Sequence, residues 1–261
     1  MPKSTARHRI RCHALALSLC LPASTSAPLA ASDWSVGLGA GVISAPEYLG
    51  GDSIETFAVP AIDIAYRRTI TFNFYEGLNA YFFNRDAISL KAGVAWQPGR
   101  DEDEDPSLAG IGDIDDATLL RLVAEYQFDI YTAFFGLRRH YGGTDGTQFE
   151  AGIQAFYTLR EEITSPRLLF NLAVLYSDDD YMQGYFGIDA GQAAASGLQP
   201  YSAESGISSL RAGATAFYPL TRNWRLTGVL QYRELVGDAG DSPLVLQDGQ
   251  WFGGAFVGYR F

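Results

Sequence analysis

The fold class this sequence predicts is all-β: a transmembrane antiparallel up-and-down β-barrel of about 12 strands. Three observations predict it. Apolar and polar residues alternate with period two along most of the chain, aromatic residues close the ends of the apolar faces, and short turns alternate with long polar loops. Alternation alone would also suit a soluble sandwich or a lipocalin-like barrel. Long strands, their aromatic ends and the final stretch WFGGAFVGYRF favour lipid over a protein core.

The first element is not part of the fold. Lys3, Arg7, Arg9 and Arg11 give a basic start, ALALSLCL (14–21) a short apolar run, and small residues up to Ala30 and Ala31 a cleavage zone. Residues 1–31 therefore read as a secretory signal peptide that is removed, leaving 32–261 as the barrel. The run is shorter than the roughly 20 residues of a spanning helix. Leu19 before Cys20 departs from the small residue that a lipoprotein cleavage box needs. Both cysteines, Cys12 and Cys20, leave with this segment, so the mature chain is expected to have no disulfide and no sulfur chemistry. Of the 19 basic residues, 15 remain against all 30 acidic ones, a formal charge near −15. Nucleic acid is excluded as a partner on that balance.

The strands follow in order. Trp34, Val36, Leu38, Ala40 and Val42 alternate with Ser35 and Gly37, Gly39 and Gly41; Leu90, Ala92, Val94 and Trp96 alternate with Lys91 and Gln97. Leu120, Leu122, Ala124 and Tyr126 oppose Arg121, Glu125 and Gln127, while Ala151, Ile153, Ala155 and Tyr157 oppose Gln148, Glu150 and Gln154. A first count finds eleven strands, with 70–83 as one unbroken run. An odd count conflicts with the even number of bacterial barrels and would put every long loop on the periplasmic side. Splitting the run at Glu76 and Gly77 repairs both faults. The predicted strands are then 33–43, 56–66, 69–75, 78–83, 87–97, 117–128, 131–141, 147–160, 167–177, 206–218, 223–235 and 250–261. Segments 44–55, 98–116, 178–205 and 236–249 become external loops. The third and fourth strands are short, so a bulged single strand, with ten or fourteen strands in total, stays open.

The segments PEYLGGD (46–52), GRDEDEDPSLAGIGDID (99–115), FGIDAGQAAASGL (186–198), DSPLV (241–245) and the terminal GYRF resemble, in that order, the MipA/OmpV family of outer-membrane proteins. The resemblance covers essentially the whole mature chain. It implies a barrel in the outer membrane of a Gram-negative bacterium, in contact with lipid and lipopolysaccharide. It also implies a scaffold role in which the barrel associates with a murein-degrading lytic transglycosylase and a peptidoglycan synthase, without catalytic residues or a cofactor. The aromatic end with Val257, Tyr259 and Phe261 on one face is similar to the signal read by the barrel-insertion machinery.

Candidate chemistry is sparse. Asp101, Asp103 and Asp105 begin like a helix-loop-helix calcium loop, but Pro106 stands where glycine is needed and Gly112 where the bidentate glutamate is needed. They remain weak divalent candidates in a solvated loop, with partial helix or turn around PSLA (106–109). The mature chain has one histidine, His140, with Glu150 and Glu125 on nearby strands and no serine in evident register for a hydrolytic pair. Period two assigns Asp63, Lys91, Arg121, Glu125, Arg138, His140, Glu150, Arg211, Arg225, Arg233 and Arg260 to the lumen, since hydrocarbon would cost such groups a few kcal/mol each. Phe134, Phe156, Phe217, Phe252 and Phe256 share that face and predict a constricted lumen. A non-enzymatic scaffold is the first functional expectation. A narrow small-solute channel and a surface adhesion or stress-response protein are the alternatives.

Overall fold

In a computed structural model, described over residues 33–67, 69–159 and 165–261, the chain is a closed antiparallel barrel of twelve strands, each paired with its neighbours in sequence. The expected leader at 1–31 lies outside the described residues, as do Arg68 and residues 160–164. The strands are β1 (Trp34–Pro46), β2 (Ile54–Tyr66), β3 (Ile70–Asn73), β4 (Gly77–Arg85), β5 (Ile88–Gln97), β6 (Ala117–Phe128), β7 (Tyr131–Tyr141), β8 (Thr147–Thr158), β9 (Arg167–Ser177), β10 (Gly206–Pro219), β11 (Trp224–Leu235) and β12 (Gly249–Arg260). Closure is made by β1 and β12, in register from Gly37 opposite Arg260 to Ser44 opposite Gly253. Gly41 lets this seam form, because a Cβ there would stand 2.3 Å from the ring of Phe256.

Alternation sets the two surfaces. On β6, Leu120, Leu122 and Tyr126 are exposed outward while Leu119 and Arg121 are buried inward. Two aromatic bands flank the outer face. At the short-turn end, Trp34 packs on Tyr66 with ring centroids 4.8 Å apart, Trp224 on Tyr259 at 5.2 Å and Phe128 on Tyr131 at 5.6 Å. At the other end stand Trp96, Tyr141 and Trp251. Such bands sit at the two edges of a hydrocarbon layer. No helix among the described residues is long and apolar enough to cross a membrane.

The hairpin deduced from parity is present, with its turn slightly earlier than expected. Phe74, Tyr75 and Glu76 form the loop and Gly77 opens β4. The side chain decides this: Asn73 Oδ1 accepts from the backbone N–H of Tyr75 at 3.0 Å and of Glu76 at 2.6 Å, which ends β3 at Asn73. Gly77 has φ +69°, and a Cβ there would lie 2.1 Å from the carbonyl oxygen of Val94. Further along β4 a bulge between Tyr81 and Phe83 shifts the register, so Phe82 and Phe83 both reach the outer surface.

Replacing Gly77 with Val combines left-handed backbone strain with a backbone clash. A destabilisation of roughly 1–3 kcal/mol is expected, read as a lower urea midpoint for the heat-modifiable folded band on gels.

Candidate functional site

The long loops do not project as separate tails. They lock together over one mouth of the barrel. In the 178–205 loop two short helices form, α1 (Asp179–Phe186) and α2 (Ala190–Ser196), neither of them foreseen from composition. Asp178 caps α1 by accepting from Tyr181 N–H, and Asp189 with Gln192 makes a reciprocal capping box on α2. The capping pattern was the signal available in the sequence.

The cap is built from the same segments that carried the family resemblance. Tyr48 Oη lies 2.9 Å from Ser107 Oγ and donates to the carbonyl of Leu244 at 3.1 Å. Ser242 Oγ donates to the carbonyl of Phe186 at 2.6 Å, and Gln192 Nε2 to that of Ile111 at 2.7 Å. Arg100, buried, reaches the carbonyl of Tyr185 at 2.9 Å. Beneath these bonds Ile111, Ile188 and Leu244 make one apolar cluster, and Tyr181, Met182, Phe186, Ala203, Leu235 and Ala239 another. Burial raises the phenol pKa of Tyr48, Tyr181 and Tyr185 above the ordinary value, so all three are neutral at physiological pH.

Four carboxylates of the acidic loop accept from its own backbone. Glu102 Oε2 accepts from the N–H groups of Gly110 and Gly112 at 3.0 and 3.1 Å, Asp113 from that of Glu102 at 2.8 Å, and Asp116 from that of Gly99 at 2.9 Å. Asp105, buried, accepts from Ser107 N–H at 2.8 Å, whereas Asp103 is exposed. Among the described residues no three carboxylate, histidine or cysteine groups are gathered as a metal site. Asp101, Asp103 and Asp105, the weak candidates, are not gathered into such a group.

Under the cap lies a belt of charge. Glu150 sits between two guanidinium groups, ion-paired to Arg138 from β7 and to Arg211 from β10, all three buried. Lys91 pairs with Glu125 at 2.8 Å, and Arg121 donates to the carbonyl of Glu76 at 3.3 Å. Arg233 is partly buried, on β11 opposite Arg211 of β10. At the other end of the barrel Arg225 lies over the Phe217 ring, 5.7 Å from its centroid, within electrostatic reach of Arg260, Asp63 and Arg167. Phe217 and Phe252 are buried and Phe134, Phe156 and Phe256 partly so.

His140 is fully buried, with its ring 5.2 Å from that of Tyr181, so it joins the barrel to the cap. Sequence reasoning found no serine in register with it. The fold supplies one indirectly: His140 Nε2 lies 3.3 Å from Gln148 Oε1, Gln148 Nε2 donates to Ser177 Oγ at 3.0 Å, and Ser177 lies 2.8 Å from Ser208. Gln148 stands between histidine and serine, which makes a structural polar chain rather than a nucleophile and base in contact. At the chain end, Val257, Tyr259 and Phe261 lie on the outer face; Phe261 is 73% exposed, and its N–H donates to the carbonyl of Val36 at 3.0 Å.

Glu150→Gln leaves two buried guanidinium groups short of their shared charge, and a loss of roughly 3–5 kcal/mol is expected in urea unfolding. Arg139→Ala, which removes a partly exposed 3.9 Å pair with Asp178, is expected to cost less than about 1 kcal/mol. A pH series tests the cap. An unfolded phenol ionises near pH 10 and a buried one higher, so cap stability is fully present at neutral pH and falls as pH climbs past about 10. The readout is protease cleavage within 98–116, with Tyr48→Phe expected to bring cleavage on at neutral pH.

Comparison with known proteins places these features. The family model described as MltA-interacting protein MipA matches residues 38–261. The Vibrio anguillarum outer membrane protein Omp26La is 29% identical over 113 residues, 43% of this chain and 42% of that protein's length. The putative outer membrane protein YiaT of Escherichia coli strain K12 is 27% identical over 239 residues, covering 88% of this chain and 92% of the relative. Among solved structures, an outer membrane channel of Pseudomonas putida F1 superposes with a TM-score of 0.44 at 9% identity, over 90% of this chain and 97% of that one. With a membrane-compatible barrel, a family match over nearly all of it and relatives from the same membrane, the chain belongs to the MipA family of outer-membrane β-barrel proteins.

Proposed function

We propose that this protein is a non-enzymatic outer-membrane scaffold that holds a murein-degrading lytic transglycosylase, and with it a peptidoglycan synthase, against the inner face of the membrane. The observation that carries the reading is the cap. Loops from four hairpins are hydrogen-bonded across the external mouth and pack an apolar layer beneath it, which disfavours free solute passage. The description of the matching family, MltA-interacting protein, supports a murein-degrading enzyme as the partner.

The docking face on this reading is the short-turn end. Arg67, Arg85 and Arg222 are exposed there, and Arg225, Arg260 and Arg167 stand near one another on the strands just above. Arg67, held at φ +48° in its turn, is also paired with Asp33 at 2.9 Å. Arg68, Glu161 and Glu162 lie outside the described residues. A stable interface buries about 800 Å² on each partner, more than one short turn offers, so a partner must engage several turns together. Asp33, Asp86 and Asp129 are exposed at the same end, so the rim is of mixed charge and favours a partner surface of complementary pattern and an on-rate that falls with salt.

Affinity capture from envelope extracts in mild detergent is expected to retain a lytic transglycosylase, and an Arg67→Glu, Arg85→Glu, Arg222→Glu variant to lose most of it. The purified barrel is expected to be silent in planar bilayers. Steady conductance with no enzyme retained would move the assignment to a narrow channel.

A further inference from the structure

The charge beneath the cap does not balance. Arg138, Arg211 and Arg233 meet on the inner side of β7, β10 and β11: Arg233 stands directly opposite Arg211 in the strand register and within electrostatic reach of Arg138. Glu150 is ion-paired to Arg138 and Arg211. Arg233 has no such acid: among the described residues no carboxylate is ion-paired to it, and its Nε is out of reach of solvent without a hydrogen-bond partner. Cross-strand neighbours have Cβ atoms about 5 Å apart, and like charges so placed destabilise a sheet. A desolvated cation without a partner adds to that cost.

The side chain is not able to turn away. Tyr232 donates to Glu234 and packs on the exposed Trp251, which puts both neighbours of Arg233 on the outer face and Arg233 on the inner one. The other inward acids are engaged elsewhere, Glu125 with Lys91 at 2.8 Å and Glu76 with Asn73 Nδ2 at 3.3 Å. From the cap, what faces Arg233 is another donor. Tyr185 of α1 lies within electrostatic reach of it; the Tyr185 Oη accepts from Gln97 Nε2 at 3.1 Å, and its own hydrogen meets no acceptor among the described residues. Burial keeps this phenol protonated at neutral pH. Arg233 and Tyr185 both retain accessible surface although they face inward beneath the bonded loops, so that surface belongs to an internal space.

We infer that this space is an oxyanion site, and that its ligand is a doubly charged phosphate group held between Arg233 and Arg211 with the Tyr185 hydroxyl as a further donor. Three guanidinium groups against one carboxylate leave two positive charges, which a phosphate dianion neutralises and a carboxylate does not. Guanidinium forks also match the spacing of phosphate oxygens. The ligand pins β10 and β11 to α1, so it couples the barrel wall to the cap.

The test refolds the full barrel from urea into detergent micelles in chloride buffer, with inorganic phosphate or glycerol 3-phosphate replacing chloride at constant ionic strength. The readout is the urea midpoint of the heat-modifiable folded band. The expected result is a midpoint that rises with phosphate and saturates, as a ligand of the folded state requires. Arg233→Gln is expected to abolish the rise while matching or exceeding the parent in chloride, because a charge without a partner has gone; Arg67→Gln at the turn end keeps the rise. Tyr185→Phe is expected to need several-fold more phosphate for half the rise, and it decides the matter if Arg233→Gln does not refold. Saturation by inorganic phosphate assigns the free ion, and saturation by glycerol 3-phosphate alone assigns a phosphate monoester; either supports the site. A rise that does not saturate is a general salt effect and overturns it, as does a rise that persists unchanged in both variants or no rise at all.

Discussion

The structure depends on one constraint: backbone N–H and C=O groups in hydrocarbon must find partners within the protein, because there is no water to take them. Everything from the even strand count to the glycine-lined seam between β1 and β12 answers it. The seam pairs the first strand with the last, so no local segment of this chain satisfies its own backbone until the whole ring is present. The short β3–β4 hairpin is the place where the answer is partial. There the wall gives up pairing, and the fold compensates with an Asx turn at Asn73, an inward Glu76 and the guanidinium of Arg121 on the carbonyl of Glu76.

The cap obeys a different logic. Outside the membrane, water is available to any polar group, yet the loops turn their polar atoms onto one another. Four of the eight acids in 99–116, Glu102, Asp105, Asp113 and Asp116, are acceptors for the loop's own amides. Charge below the cap is handled by pairing, with one glutamate serving two arginines. The capped end is thus a packed layer and the other end a set of short turns with exposed arginines, an asymmetry that the sequence carries as loop length.

Much of the barrel was legible because period two is written residue by residue: Leu120, Arg121 and Leu122 announce their faces without any knowledge of the partner strand. The hidden hairpin was legible through parity, but its turn was placed late because the hydrogen bonds of the Asn73 side chain outrank the glycine as punctuation. The helices α1 and α2 were missed since they are short and held by tertiary packing; only the caps at Asp178 and Asp189 marked them. Ser177 escaped notice near His140 because the link runs through Gln148 and depends on the β8–β9 register. The cap itself was not legible as an assembly. Its segments could be matched to a family one by one, but their meeting point is set by barrel closure, which brings together loops far apart in sequence.

That last fact has a consequence for biogenesis. Tyr48 and the carbonyl of Leu244 are 196 positions apart, on loops next to the first and last strands. Their bond can exist only after β1 has met β12, so the junction is a receipt for completed insertion. A chain stalled with an open seam displays every loop sequence but lacks that composite surface. A binding agent raised against the junction, rather than against any one loop, would therefore count finished barrels on living cells and ignore those still being assembled.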